Sequence, residues 1–193
     1  NHDTLFGGFE RCLKYLTPQI RESNDNSRLW SRIDTGNIHF LILDMEWSAE
    51  TFTAAQAEWL ETELASIPQD DWVIIMSHGY YYASGRVIDG WNWYDNPETI
   101  AAVTPLFEKY NVDLVFSGHL HQMEALEHNG VNYVICGTFG GHPEPEPEFI
   151  SPASDWYGGG GYGFVDVTIN ENEALITFRD HENELLHSFT ITK

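Results

Sequence analysis

Val112-Asp113-Leu114-Val115-Phe116-Ser117-Gly118-His119-Leu120-His121 is the stretch on which the fold of this chain turns. An apolar run of strand length ends there in Gly-His-x-His. A similar arrangement stands upstream in Trp72-Val73-Ile74-Ile75-Met76-Ser77-His78-Gly79. Continuous apolar runs, as opposed to alternating ones, mark strands buried on both faces of a sheet. Between the two runs Asn96 can cap and Pro97 can open a helix carrying Ile100, Val103 and Phe107 at helical spacing. Pro105 falls inside that pattern and predicts a kink or a restart. The histidines follow the strands directly, and open α/β sheets collect ligands and catalytic groups at the carboxyl ends of their strands.

Upstream of these runs, residues 29–34 and 38–45 read as strands joined by Thr35-Gly36-Asn37, a hairpin turn. Thr53 and Gln56 form a capping box, after which Ala57, Leu60, Leu64 and Ile67 recur at helical spacing until Pro68. Residues 5–16 are weakly helical and 18–26 read as a polar loop. Residues 80–96 form a long loop rich in aromatics. Downstream, 123–127 and 131–136 make a hairpin about Asn129-Gly130; 137–161 read as loop, with Pro–Glu alternation over 143–148. Strands over 163–169, 174–179 and 185–192 close the chain. Buried strands separated by helices, then a run of hairpins, predict a mixed α/β fold (α+β), a layered sandwich built as one domain over 1–193.

Composition narrows the function. Of 193 residues 42% are hydrophobic, enough for a real core and too many for intrinsic disorder. No apolar run approaches the roughly 20 residues a membrane-spanning helix requires. Nine basic against thirty acidic residues give a net charge of −21, a field that repels phosphate backbones and argues against a nucleic-acid surface. Two cysteines, Cys12 and Cys136, exclude a disulfide-rich scaffold.

His78, His119 and His121 at two strand ends form a candidate metal site, since neutral imidazole is a common ligand for divalent transition metals. A single histidine at a strand end is more often a hydrogen-bonded structural residue, but Gly-His-x-His after an apolar strand shifts the balance toward a metal. In His-x-His the intervening residue points away, so both rings can face one edge, and Gly118 is expected to provide the sharp turn.

On these residues the chain resembles the calcineurin-like metallophosphoesterase superfamily, and within it the purple-acid-phosphatase-like branch. Asn1-His2-Asp3 matches that family's third motif without its Gly, Ser77-His78 the fourth, and Gly118-His119-Leu120-His121 the fifth. The Thr35-Gly36-Asn37-Ile38-His39-Phe40 hairpin, the 56–64 helix and Gly137-Thr138-Phe139-Gly140-Gly141 support the likeness. The resemblance implies a layered αββα-type sandwich and a phosphoric ester hydrolase, phosphatase or phosphodiesterase, with a dinuclear centre of divalent or trivalent Mn, Fe or Zn ions. It implies that Asn1, His78 and His119 bind one ion and His121 the other. It also implies that His2 protonates the leaving oxygen while Asp3 orients its imidazole. The family's first two motifs have no counterpart in the sequence, so the chain is expected to be the C-terminal part of such an enzyme, incomplete at its N-terminal side. Alone it is expected to hold one ion or none and to be weakly active or inactive.

Other residues bear on the substrate. Tyr80, Arg86 and His142 are candidate contacts for a small phosphorylated substrate; Tyr80 and its aromatic neighbours form either packing or a substrate wall. His39, alternating with Ile38 and Phe40, reads as structural, and Asp44 as a turn-capping carboxylate. His128, His181 and His187 read as exposed. The competing functions are a non-catalytic binding module, with an aromatic ligand-binding loop and at most one structural metal, and a homodimer in which two chains cover each other's sheet edges.

Overall fold

A computed structural model describes residues 29–159 and 161–193. Its strands are β1 (Ser31–Thr35), β2 (Ile38–Ile42), β3 (Trp72–Met76), β4 (Arg86–Ile88), β5 (Trp91–Trp93), β6 (Leu114–Ser117), β7 (Met123–His128), β8 (Val131–Cys136), β9 (Ser154–Tyr157), β10 (Gly163–Asn170), β11 (Glu173–Asp180) and β12 (Leu185–Thr192). Two α-helices, α1 (Ala54–Ser66) and α2 (Pro97–Lys109), follow β2 and β5. Seven strands form one sheet in the order β1-β2-β3-β6-β8-β7-β9; β10, β11 and β12 form a second. The centre of the large sheet, β2-β3-β6-β8, is parallel, and its flanks are antiparallel.

The alternation of side chains along each central strand builds three layers. Val73, Ile75, Val115, Tyr133 and Ile135 face Leu60, Leu64, Val103 and Phe107 of the helices. Their neighbours Trp72, Ile74, Leu114 and Val134 face Ala174, Ile176 and Phe178 of the small sheet. Two apolar faces on one strand require a continuous apolar run, which is the pattern in Trp72–Met76. The mixed α/β fold is therefore present, with helix, sheet and sheet layers among the described residues. In those residues no helix is long and apolar enough to cross a membrane.

Several local expectations need correction. Helix α2 runs through Pro105 as one element, because Thr99, Val103, Thr104 and Phe107 are buried along it and hold it in place. Only half of the capping box forms: Thr53 accepts the Gln56 N–H at 3.2 Å. The Gln56 side chain is instead buried, bonding the Asp44 amide and the Asp44 and Thr51 carbonyls at 2.8–3.2 Å, which ties the exit of β2 to α1. The 80–96 loop contains the β4–β5 hairpin, and the 137–161 loop contains β9. The segments 5–16 and 18–26 lie outside the described residues.

At the amino-terminal end of the sheet His39 sits between Asp34 at 2.7 Å and Asp71 at 3.0 Å, with the Arg32 guanidinium beside it. This is the structural role expected of it, at the end of the sheet away from His78 and His119.

Candidate metal centre

Because β3 and β6 are parallel neighbours with Met76 opposite Phe116, the segments that leave them emerge side by side. The Ser77 amide donates to the Phe116 carbonyl at 3.0 Å, and the Gly118 amide donates to the His78 carbonyl at 3.2 Å. Those two bonds lock the strand ends together and bring His78 Nε2 to 3.2 Å from His119 Nδ1. Two nitrogens bound to one ion at about 2.1 Å each, with an angle near 100° between them, are separated by about 3.2 Å. The pair therefore fits a shared ion. Among the described residues, no group of three or more His, Cys, Asp or Glu side chains closes on one point. Asn1, His2 and Asp3 lie outside the described residues.

The sharp turn falls on His119, not on Gly118. His119 has φ 59°, the left-handed region that few non-glycine residues occupy and that functional sites retain as strain. Aromatic rings enclose its imidazole: Trp47 edge-on at 4.6 Å, Trp93 stacked at 5.3 Å and Tyr80 parallel at 6.0 Å. Burial and the nearby Asp95 charge push the Tyr80 hydroxyl up to about 12, so it stays protonated near neutrality. Tyr80, Tyr81 and Tyr82 all pack in the core. Trp91 projects from the hairpin tip, 75% exposed.

His121 is held by a contact of its own. Its Nδ1 lies 2.8 Å from the His142 carbonyl. A carbonyl only accepts, so Nδ1 carries the proton and Nε2 presents the lone pair a ligand needs. The Gly137 to His142 turn wraps the ring closely. A Cβ at Gly137 would stand 1.9 Å from the Leu120 carbonyl oxygen, and one at Gly141 would stand 2.8 Å from His121 Cδ2. Gly141→Ala is therefore expected to displace the His121 ring and weaken metal binding about 10-fold or more, in the range seen when a ligand's orienting partner is lost. Zinc competition titration against a chelating dye reads this; an unchanged affinity would show that His121 stands apart from the ion.

The remaining candidates take other places. The His142 side chain bonds the Pro143 carbonyl at 3.0 Å, and it is the His142 backbone that reaches His121. Arg86 pairs with Glu148 at 2.6 Å. Asp44 lies at the carboxyl end of β2; burial, then the charges of Glu46 and Glu50, raises its carboxyl above the usual range.

Two features escaped the sequence reading. Trp47 is one; its loop is fixed by Glu50, whose carboxylate accepts the Trp47 and Ser48 amides at 3.1 and 2.8 Å. The usable signal was its place just past β2, beside β3 in the sheet. The other is Glu124, fully buried, which accepts from the Ser84 amide at 2.9 Å, the Ser84 hydroxyl at 2.5 Å and Gln122 Nε2 at 2.8 Å. The Ser84 hydroxyl also accepts the Ser151 amide at 3.0 Å. This cluster clasps the loop after His78 to the strand that follows His121.

The profile of the calcineurin-like phosphoesterases (Metallophos) matches residues 1–123. A purple acid phosphatase of Glycine max is 30% identical over 152 residues, covering 77% of this chain and 31% of the relative. The Fe(3+)-Zn(2+) purple acid phosphatase 12 of Arabidopsis thaliana is 29% identical over 151 residues, covering 77% and 30%. The structure of a purple acid phosphatase from yellow lupin seeds superposes with a TM-score of 0.74 at 23% identity, over 88% of this chain and 34% of that one. The chain thus spans about a third of the length of these relatives.

Proposed function

Since the chain belongs to the calcineurin-like phosphoesterase family, we propose that it supplies the histidine side of a dinuclear metal centre that hydrolyses phosphoric esters. The observation that carries this reading is the 3.2 Å approach of His78 Nε2 to His119 Nδ1 at adjacent parallel strand ends. His78 and His119, with Asn1, would hold one ion, and His121 through Nε2 would hold the other. The Fe(3+)-Zn(2+) composition named for the Arabidopsis relative makes a mixed pair the first to test. When bound, such ions supply Lewis acidity toward the phosphoryl oxygens and offset negative charge there.

The chain's own residues perform the remaining work. His2 would contact the phosphoryl group and give its proton to the leaving oxygen, with Asp3 holding its imidazole in the required orientation. Trp47, Trp93 and Tyr80 fix the His119 ring, and the His142 carbonyl fixes the His121 tautomer. With a net charge of −21, the protein surface repels an anionic ester, so attraction must come from the site itself.

The test is hydrolysis of p-nitrophenyl phosphate and bis(p-nitrophenyl) phosphate by the full-length protein. Metal-dependent release that a chelator abolishes is expected. Failure to cleave either ester while metal is demonstrably bound would overturn the proposal.

A further inference from the structure

Glu124 is fully buried, and the donors on Ser84 and Gln122 that reach its carboxylate are neutral. A carboxylate buried on neutral donors costs more than an apolar side chain of the same volume. What it adds is direction. An ionised carboxylate only accepts, so donors on separate segments must converge on it in one arrangement. An amide of the same shape would turn its own NH2 toward one of those donors.

The segments gathered there are the ones that carry the histidines. Ser84 lies in the loop that leaves His78, and besides donating twice to Glu124 its carbonyl accepts from Gln122 Nε2 at 2.9 Å. Gln122 directly follows His121 and is itself buried. Its amide donates to the Leu120 carbonyl at 2.9 Å, and its carbonyl accepts the Gly137 amide at 3.1 Å. Gly137 opens the turn whose far end, His142, bonds His121 Nδ1, and the His121 carbonyl accepts the Glu144 amide at 2.9 Å. Gln122 therefore fastens the backbone beside His121 both to the loop from His78 and to the Gly137 to His142 turn. Glu124 holds the Gln122 side chain in place.

We propose that Glu124 is a positioning residue of the metal centre: through Gln122 and Ser84 it fixes where His121 stands relative to His78, and so the spacing of the two ions. The assignment rests on the phosphoesterase reading, in which His78 and His121 serve different ions, and its test separates the two.

Zinc titration of the full-length protein against a chelating dye would compare Glu124→Gln and Gln122→Met with the unaltered chain. The second substitution nearly conserves volume and leaves Glu124 in place. The binding step that His121→Ala abolishes identifies the ion at His121. In both test variants that step is expected to weaken about 10-fold or more, the cost of a lost orienting partner, while the step at His78 and His119 stays as it was. A role confined to stability would not single out one ion. Two steps weakened alike, or neither weakened in a variant whose circular dichroism shows it folded, would overturn the positioning role and leave the phosphoesterase reading standing. An unaltered protein that takes up no zinc would overturn both.

Discussion

His119→Ala is expected to weaken metal binding by more than about 100-fold, beyond the 10–100-fold cost of losing a residue that merely orients a ligand. The substitution removes one of the two nitrogens that approach within 3.2 Å of each other. It also empties the space between Trp47, Trp93 and Tyr80. Alanine tolerates φ near 59° less well than histidine does, which adds on the order of 1 kcal/mol of destabilisation. His119→Asn separates the two effects, since asparagine accepts the left-handed conformation. It should restore most of the stability while leaving metal affinity low. Zinc titration alongside thermal melting reads both quantities. Undiminished metal affinity in His119→Ala would remove this residue from the centre.

Glu124→Ala is expected to cost about 3 kcal/mol, through a buried cavity and the donors of Ser84 and Gln122 left without an acceptor. Urea unfolding measures it, and a loss below about 1 kcal/mol would mean that water replaces the carboxylate in the clasp. The carboxyl also makes stability depend on pH. Burial raises its pKa above 4.5, against the opposing hydrogen bonds of Ser154, Ser84 and Gln122. With the folded pKa above the unfolded one, the native state binds more protons in that window. Stability from this group is thus greatest below the unfolded pKa and falls as pH rises through the folded one. Glu124→Gln lacks that titration, so its stability should gain on the unaltered protein as pH rises through the same window. Parallel pH profiles would contradict the assignment.

Much of the fold was legible because two-faced burial writes itself into sequence. Trp72–Met76 is apolar at every position because alternate side chains meet helices and a second sheet. The Asn129-Gly130 turn was equally plain, since both residues take positive φ. The short hairpin β4–β5 and strand β9 were not. Each owes its pairing to distant partners, such as β7 for β9, and has too few residues to show a period.

The site divides along the same line. His78 and His119 stood out because each closely follows an apolar strand, and the parallel pairing of β3 and β6 brings these two rings together. What orients them depends on contacts across the fold. The His142 contribution comes from a carbonyl, which no side-chain pattern encodes. The left-handed turn belongs to His119 although Gly118 is the residue that invites it. Trp47 reaches His119 from a different strand end, and only the parallel order of β2, β3 and β6 makes them neighbours.

The central claim is that these histidines bind a metal, and anomalous diffraction at the zinc edge tests it most directly. Crystals of the full-length protein grown with zinc are predicted to show an anomalous peak about 2.0–2.1 Å from both His78 Nε2 and His119 Nδ1. A second peak is expected beside His121 Nε2. An anomalous map with no peak at the two strand ends would contradict the account.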